Sequence, residues 1–270
     1  MKQSLLFRCC LSVTVALICV YLLLPTLIVV PISFTETDYI TFPPQGFSWR
    51  WYGVFFGQAT WRDSTFTSFV VALASATLAT VLGTLAAFGL NRITGASAKF
   101  VIWLILLPMV VPSIIIAVAL YGAFAPLGLI GNKAGLVVAH TILTLPFVVI
   151  NVSAILQKLD RRMVDAARSL GAGPLTAFRK IVLPVILPGV LAGGVFSFLT
   201  SFDEIVLALF ITGPDSITLP VQMWNGIRFE INPAVAAASS ILLGIAILLL
   251  AVFSLLRPRT PRAGNAMPAR

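Results

Sequence analysis

Six long runs of the sequence contain no charged residue, and each is long enough to cross a membrane as a helix. A helix needs about 20 apolar residues to span the roughly 30 Å hydrocarbon core of a bilayer. The runs are continuously apolar, unlike the alternating pattern of barrel strands, and a helix satisfies its own backbone hydrogen bonds in lipid. We therefore predict an all-α integral membrane protein, one domain over 1–270, with transmembrane helices at about 9–33, 64–91, 100–124, 134–157, 181–202 and 231–256.

Two of these runs have features that a simple membrane span does not explain. The third continues to residue 132, but the glycines and prolines that begin at Gly122 predict a helix end near Phe124 and a short outer loop. The first follows Lys2 and Arg8, as a signal peptide would. Because it is too long for a signal peptide and lacks a small-residue cleavage pattern, we predict a retained first span.

The basic residues lie mainly on one side of the predicted membrane. If the N-terminus is inside, only Arg50, Arg62, Lys133 and Arg228 of the 18 lysines and arginines fall in outer loops. The positive-inside rule then predicts that both termini are cytoplasmic. Topology and anionic lipid explain the net charge of +9, so no nucleic-acid partner is expected.

The two kinds of loop differ in character. The outer loop at 36–63 carries Trp49, Trp51 and Tyr52, whose amphipathic rings are typical of a segment at the level of the lipid headgroups. The only substantial inner loop is 158–180. Membrane lipid is therefore one expected partner of the chain.

The inner loop begins with a short amphipathic helical pattern. Small and apolar residues recur at i, i+3, i+4 and i+7, while charged residues fall on the opposite side. The first set is Met163, Ala166, Ala167 and Leu170, and the second is Arg161, Asp165 and Arg168. Since isolated helices below about 12 to 15 residues are marginal, a partner or tertiary contact must hold this one.

A second short helix is predicted after a sharp turn. Gly171 follows the last apolar position, where a left-handed residue commonly ends a helix, and Pro174 suits the first turn of the next. Leu175, Phe178 and Ile181 are expected to point inward. Lipid at the membrane surface is one candidate partner for this pair, but the alanine-rich stripe offers little apolar area and suits close approach in a protein groove.

The stretch from Asp165 to Gly189, DAARSLGAGPLTAFRKIVLPVILPG, resembles the cytoplasmic EAA loop of binding-protein-dependent ABC importer permeases. Asp replaces the first Glu of the family pattern, which keeps the carboxylate on a shorter stem. The resemblance implies a type I importer permease fold with cytoplasmic coupling helices that seat in the ATPase. The residues it implies for this coupling are Asp165, Ala166, Ala167, Arg168, Leu170, Gly171, Phe178, Leu183 and Pro184.

The resemblance also implies the other subunits of the importer and a location in the bacterial inner membrane. Its partners are two copies of a cytoplasmic ATP-binding subunit, a second permease that forms a heterodimer, and an extracytoplasmic solute-binding protein. The sequence contains no G-x-x-x-x-G-K-[ST] loop, metal-ligand spacing or nucleophile elbow. We therefore expect no catalytic residue, no metal, no cofactor and no ATP hydrolysis by this chain itself.

A second resemblance lies in Ser201–Pro233, where SFDE, TLP and W-x-G-x-R-F-E-x-x-P follow one another. This order is similar to the spermidine/putrescine and opine branch of those permeases, and it implies a polyamine or a related cationic or opine solute. A thiamine-like or ferric solute remains open, because related permeases share the coupling loop whatever they carry.

The fifth predicted span and the two acids that follow it supply the candidates for the pathway or for a subunit contact. These are Pro188, Gly189, Gly193, Asp203 and Glu204. The prolines predict a kink, and the glycines permit close approach of another helix. For the two acids, we favour holding the outer helix structure together or meeting the partner permease over touching the solute, because they lie at a helix end.

Other functions are less consistent with the sequence. A secondary transporter would show repeated halves and a charged residue near mid-membrane, and neither is present. A non-transporting scaffold subunit of a membrane complex would also fit the six spans and the docking loop, and it stays open as an alternative. The single histidine, His140, has no acid in its own span, so we expect it to be a helix-packing hydrogen-bond partner without a site role.

Overall fold

The computed structural model describes residues 5–230 and 232–256, and these residues contain helices but no β-strand. Lys2 and the arginines after residue 256, which entered the topology prediction, lie outside the described residues. The helices are α1 Leu5–Ile32, α2 Arg50–Gly57, α3 Ala59–Leu90, α4 Gly95–Val110, α5 Ser113–Phe124, α6 Lys133–Leu156, α7 Arg161–Ser169, α8 Pro174–Ala177, α9 Leu183–Phe202, α10 Val206–Ile211, α11 Leu219–Asn225 and α12 Ala234–Leu256. Short 3₁₀ segments occupy Ala125–Leu127 and Pro214–Ser216, and π-helical segments occupy Phe178–Val182 and Gly226–Glu230.

Helices occupy all six predicted spans, and four helical runs are long and apolar enough to cross a membrane. They are α1, α3, α6 and the continuous run Pro174–Phe202. A fifth span is formed if α4 and α5 are taken together. The apolar stretch Ala234–Leu248 of α12 is shorter, so the count of six stays a prediction.

The third predicted span differs from the straight helix expected over 100–124. It ends at Phe124 as predicted, but α4 and α5 are bent by 107° at a break between them. Pro112 opens α5 and has no backbone N–H to donate, and the residue before it, Val111, is extended with ψ 132°. The proline therefore ends the first helix within the apolar run.

The chain divides into two compact units, residues 1–58 with 226–270 and residues 59–225. In the first unit, α12 packs on α1 and α2. An aromatic cluster joins the connection between α1 and α2 to α2 itself, and in it the rings of Phe34, Trp49 and Tyr52 lie 4.9 to 5.3 Å apart. Trp49 and Tyr52 belong to the predicted outer loop, and the headgroup position of that loop stays a prediction.

In the second unit, α3, α6 and α9 pack together as a three-helix core. One buried cluster lies around α10 and includes Val71, Leu136 and Leu207. A second cluster lies near the inner loop and includes Ala87, Leu156 and other small or branched side chains. The inner loop continues directly into α9, so it is joined to the core by both packing and chain connection.

Candidate functional site

The first helix of the inner loop, α7, is closed at both ends by local hydrogen bonds. Asp160 caps its start and accepts the backbone N–H of Arg162 at 2.9 Å. At its end Gly171 has φ +88°, and the N–H groups of Gly171 and Ala172 donate to Arg168 and Ala167 at 3.0 Å. These two bonds form a Schellman motif, which confirms the predicted left-handed turn.

The second helix begins with Pro174 and becomes a π-helix at Phe178. The backbone N–H of Leu183 donates to the Phe178 carbonyl, five residues earlier. From Leu183 the chain continues as α9 without interruption, and Pro184 lies exposed in its first turn. Short π-helical stretches inside α-helices often occur at functional sites. A continuous helical path therefore links the inner loop to a membrane helix.

The inner face of this loop is packed against the core. Val164 and Phe178 contact the cluster that contains Ala87 and Leu156. The Phe178 ring meets the ring of Phe88 edge-on, with 5.6 Å between centroids. These contacts fix α7 and α8 to the ends of α3 and α6.

The face of the loop that points away from the core carries large apolar side chains that are exposed. Leu170 is 89% exposed, Leu175 67% and Met163 52%. The prediction that Leu175 points inward is therefore wrong, because the buried residue of α8 is Ala177 and the aromatic contact with the core comes from Phe178, at the start of the π-helical segment. Exposed apolar side chains on a rigid element are typical of a docking surface.

The remaining predicted coupling residues lie on or beside this surface. Asp165, Ala166 and Arg168 are exposed, and Ala167 is half-buried. Four of the nine predicted residues lie on α7, Leu170 and Gly171 form its C-terminal turn, and Phe178, Leu183 and Pro184 follow α8. Leu183 lies deeper, half-buried against the cluster below the loop.

The Schellman turn provides a direct test of the loop geometry. A methyl group at position 171 would meet no atom within 4 Å, so only the left-handed backbone opposes Gly171→Ala, by about 1 to 2 kcal/mol. We expect about tenfold faster tryptic cleavage after Arg168 in inverted vesicles, because opening of the loop becomes easier. Gly173→Ala is the matched control, since position 173 is equally open and has φ −63°. Equal cleavage of the two variants would contradict the turn.

The glycines of α9 lie in helix packing within this chain. A methyl group on Gly189 would stand 2.9 Å from the Asn151 carbonyl oxygen, and one on Gly193 would stand 2.7 Å from Val148 Cα. Both contacts are to α6, which confirms the predicted close helix approach. Pro188 points to the exposed side of α9. A role of these residues in the pathway or in a subunit contact stays a prediction.

The two acids after α9 have different surroundings. Asp203 is exposed, whereas Glu204 is buried and accepts three backbone N–H groups at the start of α10. Burial raises the pKa of the Glu204 carboxyl, and the nearby charge of Asp203 adds to this, while the three hydrogen bonds lower it. Glu204 therefore holds the local helix structure together, whereas the role of Asp203 stays a prediction.

His140 lies beside Glu204, which the sequence did not indicate. Its Nδ1 shares a 2.8 Å hydrogen bond with Ser201 Oγ, so the predicted helix-packing role is confirmed. Its Nε2 stands 3.9 Å from Glu204 Oε2. The acid is distant in sequence, and only the folding of α9 against α6 brings the two together.

Comparison with known proteins identifies the family. The sequence model of one protein family, the binding-protein-dependent transport system inner membrane component, matches residues 79–262 of this chain. This chain belongs to that family. The spermidine/putrescine transport system permease protein PotC of Escherichia coli strain K12 is 35% identical over 246 residues, which cover 91% of this chain and 92% of PotC. The putrescine transport system permease protein PotI of the same strain is 32% identical over 233 residues, which cover 83% of this chain and 82% of PotI.

Solved structures show the fold of this permease. A chain from the crystal structure of a bacterial ABC transporter involved in the import of the acidic polysaccharide alginate aligns with a TM-score of 0.73 and 12% identity, covering 96% of this permease and 99% of that chain. A chain of the inward-facing MetNI methionine ABC transporter aligns with a TM-score of 0.57 and 21% identity, covering 70% and 90%. This likeness confirms the predicted ABC permease fold.

The family defines the general role of the chain. It is the permease component of an ABC importer, a multi-pass inner-membrane protein. Members of this family work with an ATPase subunit, a partner permease and a solute-binding protein. Its homologues are permease subunits of ABC transporters and not enzymes themselves, so the family assigns the chain a transport role.

Proposed function

We propose that this permease forms half of the translocation pathway of a polyamine importer, and that its loop 158–180 couples ATPase motion to transport. The observation that supports the coupling role is that the loop has one face packed against the core and an opposite face that is exposed. Phe178 and Val164 fix the loop to the core, while Leu170 and Met163 remain uncovered. Such an element transmits force because it is stiff on one side and free to bind on the other.

The proposed docking partner is the cytoplasmic ATP-binding subunit. Leu170 and Leu175 supply the apolar anchors, and Arg168, Arg179 and Lys180 supply charge around them. Interfaces of this kind combine a buried apolar centre with a polar rim. Two copies of the ATPase would then serve this permease and a heterodimeric partner permease, with both termini of this chain in the cytoplasm.

The proposed solute is a polyamine such as spermidine or putrescine, or a related cationic or opine solute. Support comes from the names of PotC and PotI and from the extent of their similarity, which reaches well beyond the coupling loop. The structural neighbours share too little sequence to inform the choice. Specificity in such a system is set mainly by the solute-binding protein, so that protein must be present in any test.

The test of the solute is uptake into proteoliposomes that contain the whole complex and its own solute-binding protein. We expect labelled spermidine or putrescine to be taken up only with ATP inside, and unlabelled polyamine to compete. An opine, thiamine and a ferric complex serve as competitors of other chemical classes. Competition by one of these alone would replace the polyamine and keep the importer, whereas no ATP-dependent uptake of any solute would oppose the importer itself.

A further inference from the structure

His140 is a buried polar side chain to which the proposed transport function assigns no role. It is 1% exposed and is the single histidine of the sequence. Its ring joins α6 to the end of α9 through Ser201, and Nε2 has no hydrogen-bond partner within the described part of the chain. A buried polar atom without a partner is costly, so its surroundings must compensate.

The nearest charged group is the carboxyl of Glu204. Oε2 of Glu204 accepts the N–H groups of Leu207 at 2.8 Å and Ala208 at 3.2 Å, and Oε1 accepts that of Val206 at 3.0 Å. Both lone-pair directions of Oε2 are therefore in use, which leaves no place for a proton on that oxygen. Three backbone donors favour the ionised carboxylate, burial opposes it, and Oε2 is an acceptor in either protonation state.

These contacts determine which ring nitrogen carries a proton. If Nε2 were bare, its lone pair would face the carboxylate across 3.9 Å, and two acceptors would repel each other in a buried site. If Nε2 carries the proton, the N–H faces negative charge. The Ser201 hydroxyl can then donate to Nδ1, and the Nε2–H, which is too far from Oε2 for a hydrogen bond, is attracted to that oxygen across 3.9 Å.

We propose that His140 is a positioning residue for transport, which holds the corner between α9 and α10 in place through a protonated Nε2 facing Glu204. The corner carries the exposed Asp203, next to Glu204 in sequence. One further hydrogen bond joins the same two helices, because Ser197 on α9 donates to the Thr144 carbonyl on α6 at 3.2 Å. The Thr144 hydroxyl itself donates to the His140 carbonyl, one turn earlier in α6, at 2.8 Å.

The corner matters because α10 depends on it. This helix has only six residues, and Leu207, Ala208 and Ile211 are fully buried in the core around it. Its first backbone N–H groups are satisfied by Glu204 rather than by water. A shift of the Glu204 carboxylate would therefore move α10 and Asp203 together. The effect of such a shift on solute uptake rests on the proposed import function, whereas the position of the proton on His140 does not.

The protonation state can be measured without any transport assay. Because the chain has one histidine, ¹⁵N-histidine labelling of the full-length permease in lipid bilayers, purified with a tag that lacks histidine, gives the imidazole signals of one residue. We expect solid-state NMR at neutral pH to show a protonated Nε2. An unprotonated Nε2, with the proton on Nδ1 alone, would overturn the proposal whatever the solute proves to be.

The functional consequence is tested by two substitutions that preserve different ring nitrogens. The carboxamide of His140→Gln reaches about as far as Nε2 and can place an N–H there, whereas the shorter carboxamide of His140→Asn reaches only the Nδ1 position and leaves no donor facing Glu204. With uptake by the reconstituted complex normalised to inserted permease, we expect about a tenfold loss for Asn and a loss within about threefold for Gln. Equal losses in the two variants would contradict a role of the donor.

A double-mutant cycle separates positioning from simple packing. If His140 acts through the carboxylate, His140→Asn should change uptake by less than about twofold in a Glu204→Gln background. Losses that multiply, so that the double variant falls by the product of the two single effects, would show that the residues act independently and would reject the proposal.

Discussion

Leu170→Asp is expected to abolish ATP-driven uptake while leaving the permease inserted in the membrane. Leu170 is 89% exposed and is absent from the packed clusters of the described chain, so its replacement costs the fold little. In the complex, it is proposed as an apolar anchor, and the loss of such an anchor typically weakens binding by 2 kcal/mol or more, or about thirtyfold. We expect at least that loss in co-purification of the ATPase subunit.

The control for this variant is Ser169→Asp. It places the same charge one residue earlier, at the same end of α7, on a side chain that is already polar and exposed. Any general effect of negative charge at a helix C-terminus would appear in both variants. Normal ATPase binding by Leu170→Asp, or equal defects in the two variants, would remove Leu170 from the docking surface.

Gly193→Leu is expected to prevent stable packing of α9 on α6. Even the first added atom would stand 2.7 Å from Val148 Cα, and the backbone there cannot move away as a flexible side chain can. Overpacking of a well-packed contact typically costs about 1 to 3 kcal/mol, and more where rigid backbone must move. We expect a lower thermal unfolding midpoint of the purified permease and less folded protein in the membrane.

The matched substitution for this site is Gly122→Leu. Position 122 is also a helical glycine in an apolar segment, but nothing lies within 4 Å of an added methyl group. This variant should unfold close to the wild-type midpoint. If the two leucine variants had the same midpoint, the close approach of α6 and α9 at Gly193 would be wrong.

The sequence predicted the helical elements well because apolar length and glycine placement are local signals. The charge-free runs located the long helices, and Gly171 and Pro174 located the turn between the two short ones. The break at Val111–Pro112 was not predicted, although Pro112 is visible in the sequence. A proline in an apolar run is compatible with a kinked helix or with two helices, and only tertiary packing decides between them.

The candidate site was only partly predictable for a similar reason. The stripe of Met163 and Leu170 was correctly expected to lie on one face of a helix, and both side chains prove to be exposed. Leu175 was placed on the wrong face, since a four-residue helix carries too little periodicity to fix its orientation. The proximity of His140 and Glu204 depends on long-range helix packing and had no sequence signal.

The central claim is that the exposed face of loop 158–180 binds the ATPase subunit, and photo-cross-linking tests it most directly. A photoreactive amino acid at position 170 in the intact complex should cross-link to the ATPase subunit, with a yield that changes when ATP is bound. The same probe at Phe47, which is 78% exposed on the predicted outer loop, should give no such product. Cross-linking from Phe47 but not from position 170 would contradict both the docking surface and the orientation of the chain.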